Sequence, residues 1–280
     1  MKKSYRNIWF FSRNNQTGKS NWKIRYFISL GKVCFCHFAT LSGINQLASS
    51  LGLMQNLKIF LFLLLLPLFA TSQAAEETVF LNDDVAIKLY YFAPAAEFET
   101  PRLAILLSGG SNDEYMAQAQ YWIGKEMVGR GWAIAVPISP KGRKYFVENT
   151  AALPKLVDFI HASHDLDPSK PLLVGVSGGG SAALAIAAQS PSLYAGVIAT
   201  PGRIWNPSKF KDLDGLPVYL RIGENDSFRW NKQLPSMVDV LHSAGANVDA
   251  ALMAGEKHIF ELDWENFDAW LEKLQQPLTQ

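Results

Sequence analysis

Past residue 75 the chain alternates between short continuous apolar runs and longer stretches with helical periodicity. The runs Thr78–Leu81, Val85–Phe92, Leu103–Leu107, Trp132–Pro137, Leu172–Val176, Ala195–Ala199, Val218–Ile222 and Val248–Met253 read as eight strands. Several of them lack polar alternation, as strands covered on both faces do. Between them, Met116, Ala119, Ile123 and Met127 recur at helical spacing, with Asn112 or Asp113 as cap and Gly131 as stop. Leu153, Leu156, Val157 and Ile160 mark a second helix, and the stretch from Gly179 to Gln189 is apolar nearly all round, so its helix should be buried. Met237, Val238 and Leu241 precede Gly245, and Trp264, Phe267, Leu271 and Leu274 form a last helix. Strand–helix alternation of this kind predicts an α/β fold: a mostly parallel eight-stranded sheet with helices on both faces.

The pattern changes upstream. From Met54 the sequence MQNLKIFLFLLLLPLFATSQAAEE has a short start with Lys58, a 12-residue apolar block from Ile59 to Ala70, and then small residues. A spanning helix needs roughly 20 apolar residues. This block is shorter and contains Pro67, whereas Ser72 and Ala74 suit the −3 and −1 positions of an export-signal cleavage site. The expected organisation is an upstream extension over 1–53, a signal peptide over 54–74 and one domain over 75–280. Translation is then expected to begin at Met54. The rival is a basic cytoplasmic segment ahead of a signal anchor. With the signal cleaved, the product is expected to be exported, periplasmic or secreted, with no stable membrane anchor.

Charge follows the same boundary. Residues 1–74 hold nine Lys or Arg and no Asp or Glu; the other 206 residues hold 17 basic and 25 acidic side chains, a balance of −8. An acidic domain of this kind is not built for nucleic acid. Both cysteines, Cys34 and Cys36, precede the predicted cleavage site. With only His37 beside them they fall short of a zinc site, which needs about four ligands. The domain itself would have neither disulfide nor thiol chemistry.

Gly175-Val176-Ser177-Gly178-Gly179 matches G-x-S-x-G between an apolar strand and an apolar helix. A serine at such a turn is held in a strained conformation and projects above the sheet, with glycines clearing the space around it. The helix that follows aims its free N–H groups at the same place. The run GVSGGGSA lacks the Lys of a phosphate-binding loop. A serine hydroxyl needs a base, and the base an orienting acid; behind an elbow of this type their chain order is serine, acid, histidine. His161 and His164 precede Ser177 and read as solvated helix-end residues; His242 lies on the polar side of a helix. His258, in AGEKHIF after the last strand, is the well-placed base. Beyond Val218–Ile222 lies Gly223-Glu224-Asn225-Asp226-Ser227, with Asp226 the first choice of acid and Glu224 the fallback. Oxyanion donors are expected from the amide of Gly178 and from the loop Ser108–Asn112, with Gly110 ahead of Ser111.

The motifs LLSGGSN, GVSGG, GEND and GEKH, in that order, resemble the α/β-hydrolase superfamily, particularly its small lidless carboxylesterase, dienelactone-hydrolase and prolyl-oligopeptidase-like members. The resemblance spans 78–275. Ser108 stands where such proteins often carry His after the third strand. It implies hydrolysis of an ester, thioester or amide in a small-molecule substrate through an acyl-serine intermediate, with no metal and no cofactor. The rival readings are a prolyl-oligopeptidase-like peptidase and a hydrolase-fold binding protein without turnover, which would usually lack a triad member. Only Thr200–Gly215 separates the sixth strand from Leu216, too little for a large lid. The site is therefore expected to be open and shallow, with Trp205, Phe228 and Trp230 as candidate walls.

Overall fold

In the computed structural model, residues 74–275 apart from Arg143 are described. The readings of residues 1–53 and 54–73 lie outside that range. Strands β1 (Ala75–Asn82), β2 (Val85–Phe92), β3 (Leu103–Leu107), β4 (Ala133–Ile138), β5 (Leu172–Gly175), β6 (Gly196–Ala199), β7 (Pro217–Gly223) and β8 (Asn247–Met253) form one sheet in the order β1-β2-β4-β3-β5-β6-β7-β8. The β1/β2 and β2/β4 pairs are antiparallel, and every later neighbour is parallel. All residues of β3, β5 and β6 are buried. That is why these strands are unbroken apolar runs: helices cover them on both faces.

One face carries α4 (Ala152–Ser163), α5 (Gly178–Ala187) and α6 (Leu234–Ser243), through Leu156, Ala183 and Leu241. The other carries α1 (Glu114–Ala119), α2 (Trp122–Val128) and α7 (Trp264–Gln275), through Ala117, Ile123, Met127 and Phe267. A four-residue helix α3 (Tyr145–Glu148), unread in the sequence, buries Tyr145 and Phe146 on the first face.

The single helix expected over Met116–Met127 is two. Asp113 caps α1, its side chain accepting from the Met116 amide, and the chain breaks at Gln120–Tyr121 before α2. Ala117 rather than Ala119 is buried, so the break re-aims the apolar stripe. His164 also departs from expectation. It is stacked on Tyr91 with ring centroids 3.6 Å apart, and its Nε2 lies 2.9 Å from Glu77 Oε1. The strand β1 reaches this helix end from far along the chain, and local pattern carries no sign of it. Burial beside the Glu77 carboxylate pushes the Tyr91 hydroxyl up to about 12.

Candidate active site

Strand register assembles the site before any side chain is considered. Leu107 pairs with Gly175, Gly175 with Ala199, and Gly223 with Met253. The loops leaving β3, β5 and β6 thus emerge side by side at the carboxyl end of the sheet, as do those leaving β7 and β8. In open parallel sheets this end is where ligands bind.

Ser177 leaves β5 with φ 57° and ψ −119° and initiates α5. A β-carbon on Gly179 would stand 1.8 Å from the Leu107 carbonyl oxygen, so only glycine lets α5 start this close to β3. The turn is locked by neighbours rather than by its own preference. The Thr200 amide donates to the Gly175 carbonyl at 2.9 Å, and the Val176 amide to the Leu107 carbonyl at 3.3 Å.

Ser177 Oγ lies 2.8 Å from His258 Nε2, and His258 Nδ1 lies 2.7 Å from Asp226 Oδ2. A carboxylate only accepts, so Nδ1 carries the ring proton and Nε2 is left to accept from the serine hydroxyl. The Asp226 side chain is 0% exposed, and its Oδ1 accepts from the Phe228 amide at 2.7 Å. Glu224 is engaged elsewhere: its Oε2 accepts from the Gly255 amide at 2.6 Å. The Glu224 amide also donates to Met253 O at 2.9 Å and the Asn225 amide to Glu256 O at 2.7 Å. Glu224 thereby ties the loop bearing Asp226 to the loop bearing His258.

The loop after β3 packs directly on the elbow. A β-carbon on Gly109 would stand 2.6 Å from Val176 O, 2.9 Å from Ser177 Cβ and 3.0 Å from the Gly178 amide nitrogen. The Gly109 amide donates to the buried Gln120 Oε1 at 2.5 Å and so is not available to a substrate. Gly109 O accepts from the Asn112 amide, making Gly110 (φ 59°) and Ser111 the middle of a tight turn. Ser108 Oγ donates to Asn112 Oδ1 at 2.5 Å, both buried, and Ser111 Oγ to Asp113 Oδ2 at 2.6 Å. The Ser111 hydroxyl is turned to Asp113 and the Gly109 amide is taken, while the Gly178 amide lies against Gly109 beside Ser177.

Two of the three aromatic candidates pack on His258, and the third reaches it through Trp230. The His258 ring has Phe228 at 4.5 Å and Trp230 at 5.0 Å, and Trp205 meets Trp230 edge-on at 6.5 Å. Trp230 is buried and belongs to the core as well as to the histidine's surroundings, whereas Trp205 and Phe228 are 61% and 63% exposed. His242 is exposed on α6. Sequence reading missed Gln120, whose polar side chain is buried in mid-pattern, and Arg203, whose guanidinium lies 4.1 Å over the Trp205 ring.

The family model described as "Putative esterase" matches residues 129–279, which hold Ser177, Asp226 and His258. No curated protein matches the chain by sequence. Among solved structures it is similar to Thermogutta terrifontis esterase 2 phosphorylated by paraoxon, with TM-score 0.53 and 16% identity over 71% of this chain and 91% of that one. An acetyl xylan esterase from Aspergillus awamori gives TM-score 0.54 and 14% identity over 71% of this chain and 99% of that one. A dipeptidyl-aminopeptidase-IV-like protein of Bacteroides ovatus gives 0.58 and 14%, over 73% of this chain and 36% of that one. At these identities the structural likeness is one of fold. Together with the family match over more than half the chain, it makes this protein a member of the esterase family, built on the α/β-hydrolase fold.

Proposed function

We propose that the protein is a serine esterase that cleaves a carboxylic ester through an acyl-serine intermediate. The observation that carries this is the continuous chain Ser177 Oγ–His258 Nε2, 2.8 Å, and His258 Nδ1–Asp226 Oδ2, 2.7 Å, at a positive-φ elbow. Ser177 Oγ attacks the ester carbonyl carbon while His258 Nε2 takes the hydroxyl proton. The carbonyl oxygen becomes an oxyanion facing the amides of Gly110 and Gly178, which stabilise it without reorganising. The C–O bond to the alcohol breaks, and the proton on Nε2 leaves with the alcohol. Water then repeats the sequence on the acyl-serine, His258 again taking a proton, and Ser177 is regenerated with release of the acid. Asp226 keeps the imidazole in the required tautomer and stabilises its cationic form.

This chemistry belongs outside the cytoplasm if the export signal read over 54–74 is used. A fluorophosphonate probe tests the mechanism: the protein is expected to label stoichiometrically, and Ser177→Ala not at all. Unlabelled wild-type protein, or labelling that survives Ser177→Ala, would remove the serine mechanism.

A further inference from the structure

Arg203 sits on the loop leaving β6, one strand from the elbow. Its amide donates to Ser181 Oγ at 2.9 Å, and Ser181, one helical turn past Ser177, donates its own amide to the Ser177 carbonyl. The backbone of Arg203 is therefore fixed to the helix that begins at Ser177. Its guanidinium lies over Trp205, 4.1 Å from the ring centroid, and Trp205 leads through Trp230 to His258.

What is missing is an acceptor. Arg203 Nε is buried with no hydrogen-bond partner, and among the described residues no carboxylate forms an ion pair with this side chain. Arg130 and Arg221 differ from it. Each of those also lies over an aromatic ring, but each has an aspartate partner, Asp268 and Asp249. A guanidinium is costly to leave half-buried without an acceptor, and its planar fork matches a carboxylate. Its seat over an exposed indole, which meets the Trp230 that packs on His258, leaves the donors of that fork unspent.

We propose that Arg203, on its Trp205 platform, is an anion subsite, and that the preferred substrates are esters carrying a second, ionised carboxylate. The proposal rests on the esterase reading above for the word substrate, but not for the binding itself. Trp205 supports the guanidinium and covers apolar carbons between the ester and the charge.

The experiment compares matched pairs in a pH-stat assay: monomethyl against dimethyl glutarate, with the charge on the acyl side, and 3-acetoxypropionate against its methyl ester, with the charge on the alcohol side. In at least one pair the ionised ester is expected to have a kcat/KM about tenfold or more above its neutral partner, as a charge-assisted hydrogen bond supports. In Arg203→Gln that ratio should collapse toward one. Arg203→Lys keeps the charge without the fork and should retain only part of it. Calorimetry on Ser177→Ala with monomethyl glutarate and 3-acetoxypropionate reads binding without turnover, and adding Arg203→Gln should abolish it for the preferred ligand. No charge preference in either pair, a preference that survives Arg203→Gln, or full retention in Arg203→Lys would overturn the forked anion subsite. If wild-type protein turned over none of the esters while Arg203-dependent binding persisted, the esterase reading would fall and the anion subsite would stand.

Discussion

At φ 57° and ψ −119° the backbone of Ser177 holds a conformation that a non-glycine residue rarely keeps by its own preference. The cost is borne by the contacts around it, and the return is a hydroxyl held 2.8 Å from His258 Nε2 before substrate arrives. Ser177→Ala and His258→Ala should each remove nearly all activity with the fold intact. Because the two groups act as a unit, the double variant should be little worse than either single one. Kinetics showing the two losses multiplying would reject the shared role. The acid is testable in the same way. Asp226→Asn preserves the shape but favours the wrong imidazole tautomer, and kcat should fall by as much as about 10⁴. Glu224→Gln keeps an oxygen for the Gly255 amide and should cost little. The reverse order of effects would move the acid to Glu224.

Elements matter here through what their ends hold. The break between α1 and α2 was illegible because Met116, Ala119, Ile123 and Met127 keep helical phase across it. Its reason is tertiary: Gln120, at the break, turns inward to take the Gly109 amide at 2.5 Å. In the proposed mechanism Gln120 is thus a positioning residue for the loop that carries Gly110. Gln120→Leu leaves a buried N–H unsatisfied, a penalty of about 1–3 kcal/mol. It should lower kcat by roughly tenfold or more with KM little changed, if the loop acts on the transition state. Gln120→Glu, which still offers an oxygen, should restore much of kcat; an unchanged kcat in Gln120→Leu would show that the loop needs no such anchor. The cap of α1 adds a pH signature. Hydrogen bonds from the Ser111 hydroxyl and then the Met116 amide hold the Asp113 carboxyl below its usual range. A depressed folded pKa means stability that is present above the unfolded value and lost as pH falls through the folded one. The stability gap between wild type and Asp113→Ala should therefore be widest near neutrality and close on the acid side. A gap independent of pH in urea titrations would assign the effect to something other than this carboxylate.

For the whole molecule, the parts readable in sequence were those whose partners are set by local pattern. The wholly buried strands β3, β5 and β6 announce themselves as apolar runs, and the glycines beside Ser177 announce the elbow. Arg203, Gln120 and His164 stayed silent, because what each touches is decided by strand order, and strand order is not written in periodicity. The absence of a large lid was readable, since the β6–β7 connection is only residues 200–216. In the structure that connection contains one short 3₁₀ helix, Pro207–Lys209, and leaves Trp205 61% exposed. That openness limits selectivity. Each methylene a pocket buries is worth about 0.8 kcal/mol, roughly fourfold in kcat/KM, but a pocket that ends early gains nothing from the next one. Among neutral p-nitrophenyl esters, activity should peak at short acyl chains, acetate to butyrate, and show no activation at a lipid interface. The check is kcat/KM across acyl chains from two to sixteen carbons. A steady climb to the long chains would require an enclosed acyl tunnel, which exposed Phe228 beside His258 and exposed Trp205 beside Trp230 do not form, and the open-site reading would have to be abandoned.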